Sequence, residues 1–90
     1  MLSFTDHATE KIEKELSKFS ITKDVVISTV QEPDSILYDT LTGRFVALNW
    51  DKRIAVIYEE TGDIVLIITI IYSTTLKDTV VRRRRSGRWI

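Results

Sequence analysis

Apolar positions are densest from Ile64 to Tyr72, where the chain reads I-V-L-I-I-T-I-I-Y. Isoleucine and valine lose side-chain freedom against a helical turn but pack well on a pleated sheet, so the run predicts a strand. Both alternating registers are apolar, which predicts burial on both faces and a place in the middle of a sheet. The run is too short to cross a bilayer as a helix, which needs about 20 residues, so no membrane partner is expected. Within it only Thr69 and Tyr72 carry polar handles. Each either bonds locally or points into a site.

Upstream the period changes. Phe4, Ala8, Ile12, Leu16 and Phe19 recur at helical spacing and predict an amphipathic helix from Phe4 to Phe19, capped by Ser3 or Thr5. Ile21 to Val30 mixes signals, since Val25, Val26, Ile27 and Val30 favour a strand whereas Thr22-Lys23-Asp24 resembles a helix start. The expectation is a short helix, ended before Pro33 because the residue preceding a proline is pushed out of the helical region.

Four strands are expected next: Ile36 to Asp39, Arg44 to Trp50, Arg53 to Glu59, and the central run from Ile64. Gly43 turns the first hairpin, and Thr61-Gly62-Asp63 the last. Short connections imply an antiparallel meander. Leu76 to Val81 adds either an edge strand or a helix. The expected fold is therefore α+β: one domain over residues 1–90, with two N-terminal helices packed on an antiparallel β-meander of about four strands. No second helical layer is evident for the other apolar face, so self-association as a homodimer, or a partner protein, is expected there.

Composition narrows the chemistry. Ninety residues build one small core, and the absence of cysteine excludes disulfides, thiolate catalysis and cysteine-based zinc sites. With a single histidine, no metal site and no cofactor is expected. The opening M-L-S-F-T-D-H lacks a basic start and an apolar segment, so a cytoplasmic location is expected. Net charge is zero but unevenly spread: residues 1–34 carry four lysines against seven acids, and residues 82–90 carry five arginines and no acid.

Two basic features stand out. At about 100° per residue, His7, Lys11, Lys14 and Lys18 fall in one strip beside the apolar face of the first helix, with Glu10, Glu13 and Glu15 to either side. A solvated lysine face with a favourable Glu10–Lys14 pair explains this strip equally well. The second feature is the basic C-terminal segment 82–90, R-R-R-R-S-G-R-W-I. Arg82, Arg83, Arg84, Arg85 and Arg88 can neutralise phosphates, while Trp89-Ile90 suggests docking, on the chain's own sheet or on a partner. Trp50 and Trp89 could stack on bases, although Trp50 at a strand end is more simply core.

Several stretches together resemble the small relatives of RelE, ParE and BrnT toxins: F-T-D-H-A-T-E-K from Phe4 to Lys11, Pro33-Asp34, V-I-Y-E-E-T-G-D from Val56 to Asp63, and the Ile-Thr of the central strand. In that branch the first helix starts F-x-x-H-A with a basic residue four positions after the histidine, here His7 and Lys11. The likeness extends to about Tyr72. It implies a RelE-like α+β fold of metal-independent ribonucleases, an RNA substrate and a neutralising antitoxin protein, although ParE-like members act on gyrase instead.

Metal-free RNA cleavage needs a base for the 2′-hydroxyl proton, an acid for the leaving oxygen and cations around the phosphorane. Histidine is the side chain suited to proton transfer near neutrality. His7, Lys11, Thr69 and Tyr72 are the candidate catalytic residues, with Lys14, Lys18 and the five arginines as nucleic-acid contacts and one of Arg82 to Arg85 completing the clamp. The competing expectation is a non-catalytic dimeric module that binds nucleic acid or protein.

Overall fold

The run from Ile64 to Tyr72 is one strand of a five-stranded mixed sheet in a computed structural model that describes residues Met1–Ile90. In chain order the elements are β1 (Leu2–Phe4), α1 (Asp6–Lys11), α2 (Lys23–Gln31), β2 (Ser35–Asp39), β3 (Arg44–Asn49), β4 (Ile54–Thr61), β5 (Ile64–Tyr72) and α3 (Leu76–Arg85). Between α1 and α2 the helical path widens to a π-type segment, Ile12–Leu16, and tightens to a 3₁₀ turn, Ser17–Phe19. The strand order is β1-β5-β4-β3-β2. The β2 to β5 strands form the antiparallel meander expected.

The α+β class matches the expectation, but three features differ. First, Leu2–Phe4 is a strand that pairs parallel with Val65–Ile67, so α1 begins at Asp6 instead of Phe4 and the sheet is mixed. Thr5 makes this junction: its N–H donates to the Ile67 carbonyl (3.0 Å), its hydroxyl donates to the Ile68 carbonyl (2.9 Å), and its oxygen accepts from Ala8 N–H (3.1 Å). Second, of the two alternatives for Leu76 to Val81 the helix is the one formed, and it runs on through the arginines to Arg85 instead of ending at Val81.

Third, the second sheet face is covered from within the chain. Ala8, Ile12, Leu16, Ile21 and Val26 bury one face of the sheet. Leu76, Val80 and Trp89 bury the other, against Leu37, Val46, Leu48, Ala55 and Ile57. An exposed face calling for a dimer is thus absent at this position: Trp89, 1% exposed, fills it. Gly87, at φ +78°, turns the chain after α3, a backbone conformation that costs glycine little. Residues 88–90 then pair with the end of β2, Tyr38 and Ile90 exchanging N–H to carbonyl bonds of 3.0 Å each. This strap covers part of an otherwise open sheet edge. An apolar groove of about 530 Å³, lined in part by Met1, Ile36, Tyr58 and Val65, remains open on the α1–α2 side. No helix is long and apolar enough to cross a membrane.

Candidate functional site

β1 ends at Phe4, opposite Ile67, so β5 from Ile68 onward has no strand on its outer side. At that point β5 carries a bulge: Ile57 of β4 faces Thr69 whereas the next residue, Tyr58, faces Ile67, leaving Ile68 as the extra residue. A bulge bends a strand and re-aims the side chains beside it. Thr5 ties the start of α1 to this same place through Ile67 and Ile68. One helical position past Asp6, His7 therefore lies against the bulge, with Nε2 3.2 Å from Thr69 Oγ1. Sequence reasoning placed these two residues in one candidate site, and the fold brings them into hydrogen-bond contact.

The rest of the strip is distributed differently from the expectation. His7, Glu10, Lys11, Lys14 and Glu15 line an open depression of about 400 Å³. Glu10 and Glu15 thus share the groove with the lysines instead of falling to either side. Lys14 is held by Glu10 at 2.9 Å, an exposed pair of the kind that contributes little to stability. Lys11 is the cation nearest in sequence on the His7 face that makes no ion pair. Beyond it the widened turn at Ile12–Leu16 shifts the helical phase, and Lys18 lies 5.3 Å from the Phe19 ring centre.

Tyr72 does not join His7. Its ring stacks on Phe19 at 4.3 Å and 9°, and lines a second depression of about 270 Å³. Lys11 and Glu15 line both depressions, so the two are continuous along the helix. No group of three or more His, Cys, Asp or Glu side chains is placed to hold a metal ion.

The arginines lie elsewhere. α3 packs on the opposite face of the sheet from α1, and its C-terminal end is fixed to β2, not β5. Three inter-strand spacings, about 14 Å, separate β2 from β5. None of Arg82 to Arg85 can therefore complete a clamp on a phosphate at His7, which corrects that expectation. Arg83 stacks over the Trp89 ring at 5.0 Å. Arg88 forms a fork on Asp39, Nε to Oδ1 at 2.8 Å and Nη2 to Oδ2 at 3.2 Å. Burial would push the Asp39 carboxyl up, but the Arg88 fork and charge and the N–H groups of Leu41 and Thr42 outweigh it and hold it at about 2. Trp89 is core, so it is unavailable to stack on a base, and Trp50 packs at the margin of the same core.

Sequence reasoning missed Asp39, Thr79 and Ser86 as partners of the arginines. For Thr79 and Ser86 a signal existed, since 79, 82, 83 and 86 share one helical face. Comparison with protein-family models, with curated proteins and with solved structures finds no match to this chain.

Proposed function

We propose that the protein is a RelE-like, metal-independent endoribonuclease acting on cytoplasmic RNA and neutralised by an antitoxin partner. The observation that carries this reading is the contact between His7 and Thr69 at the β5 bulge, with unpaired Lys11 beside it in an open groove. Two helices set between a short strand and an antiparallel meander support the RelE-like assignment.

In the tautomer that donates Nε2–H to Thr69 Oγ1, His7 offers its Nδ1 as the base. It takes the 2′-hydroxyl proton, the 2′-oxygen attacks the adjacent phosphorus, and the bond to the 5′-oxygen breaks. That oxygen takes up a proton from water in the open groove, the protonated His7 gives its proton to the hydroxide so formed, and the products are a 2′,3′-cyclic phosphate and a 5′-hydroxyl. The Lys11 ammonium balances the added charge of the phosphorane. Without a guanidinium at the site, turnover is expected to be slow.

A second reading is a non-catalytic nucleic-acid-binding module. It is favoured by the separation of the arginine cluster from His7. The two part on one experiment: end-labelled single-stranded RNA is incubated with the full chain and with His7→Ala. Cleavage lost by about 100-fold or more in the variant supports the first. Binding without cleavage in either protein removes it.

A further inference from the structure

The far end of α3 gathers hydroxyl and guanidinium side chains around one depression. Thr79, Arg82, Arg83 and Ser86 follow the i, i+3, i+4, i+7 pattern, which sets two guanidinium groups between two hydroxyls on one helical face. The Gly87 reversal then returns Arg88 to that face. These five side chains, none apolar, line a depression of about 370 Å³.

Each guanidinium is held by a different restraint. Arg83 stacks on buried Trp89, Arg88 is forked on Asp39, and Arg82 Nη2 lies 3.4 Å from Thr79 Oγ1. Only Arg88 is matched by a carboxylate, so Arg82 and Arg83 leave two positive charges uncompensated. Arg83, packed on Trp89, loses little freedom on binding, while exposed Arg82 has only the 3.4 Å contact to Thr79 and is free to turn its planar fork to a tetrahedral oxyanion.

We propose that this depression grips a phosphate of a nucleic-acid backbone. Arg84 and Arg85, exposed and without an acidic partner, carry the positive surface around the helix beyond the depression. Charge spread in this way suits a polymer with a phosphate on every residue, and a single small phosphate would leave both idle. The site goes beyond the cleavage reading and does not depend on it, since it sits over β2 and His7 sits at β5.

The test is fluorescence anisotropy with a labelled single-stranded RNA of about 16 nucleotides, comparing the full chain with Arg82→Gln/Arg83→Gln between 50 and 200 mM salt. The double variant is expected to bind about 10-fold more weakly at low salt, with a salt slope reduced by about 1.4, or 0.7 for each lost phosphate contact. Arg82→Gln alone, which leaves the Trp89 stack intact, is expected to lower the slope by about 0.7 and covers the case in which the double variant unfolds. Lys52→Gln, at an exposed lysine of the β3–β4 turn that makes no ion pair and lies in neither site, controls for the loss of one charge and is expected to keep both affinity and slope. Unchanged slopes in both arginine variants would overturn the proposal. So would arginine-dependent binding to inorganic phosphate or to phosphatidylserine vesicles without binding to RNA.

Discussion

Replacing Asp39 by asparagine removes the charge on which Arg88 closes while keeping the side-chain shape. Asp39 is 4% exposed and accepts from the Arg88 fork and from the N–H groups of Leu41 and Thr42 at 3.0 and 3.4 Å. Its carboxyl is lowered from 3.8 to about 2 in the folded chain. At about 1.36 kcal/mol per pH unit that difference comes to about 2 kcal/mol, and water around half-buried Arg88 reduces it to roughly 1–2. Because the folded chain holds the carboxylate ionised more strongly than the unfolded chain, this stability is fully present above about pH 4 to 5. It is lost as pH falls through 3.8 toward 2. Urea unfolding at pH 7, 5, 4, 3 and 2 is the assay. The native chain should lose about 1–2 kcal/mol more than Asp39→Asn across the acid range, while at pH 7 the variant should be the less stable by about 2 kcal/mol. Parallel pH profiles for the two proteins would refute the claim that this fork fastens the C-terminal strap.

Three further outcomes test the surroundings. Gly87→Ala should cost about 1–2 kcal/mol by thermal unfolding although nothing lies within 4 Å of the added methyl, because φ is +78° there. Trp89→Ala should cost about 3 kcal/mol, toward the low side for a buried tryptophan because its indole N–H has no partner to lose; it should also cause concentration-dependent association by light scattering, as the β2 edge opens. Thr5→Ala removes both the cap of α1 and the tie to Ile68, so it should cost about 1–2 kcal/mol in denaturant unfolding and lower RNA cleavage without touching His7.

What could be read in the sequence was what local pattern controls. The strands from Ser35 to Tyr72 lay within one or two residues of expectation because their apolar runs and glycine turns are local signals. Leu2–Phe4 was hidden: three residues carry no period, and their partner Val65–Ile67 is distant in sequence and parallel. The covering of the second face was hidden for a different reason. Leu76 and Val80 make only a two-point stripe, and the arginines after Val81 read as a solvated tail instead of a helix whose end is pinned by Trp89 and Asp39.

The candidate site divided the same way. The F-x-x-H-A start placed His7 near a helix N-terminus, and the lone threonine in an apolar strand drew attention to Thr69, but their meeting depends on a bulge at Ile68 that no sequence feature announces. The strip of lysines was legible only under a constant 100° rotation, which the π-type segment at Ile12–Leu16 does not keep. The reach of the arginines toward His7 failed because it required knowing which sheet face α3 covers.

The most direct measurement is the chemistry of the ends formed on single-stranded RNA incubated with the purified chain in excess chelator. The native protein should leave 2′,3′-cyclic phosphate and 5′-hydroxyl ends, strongly reduced in Thr69→Val and absent in His7→Ala. Intact RNA, or the same ends at the same rate from His7→Ala, would contradict cleavage by His7.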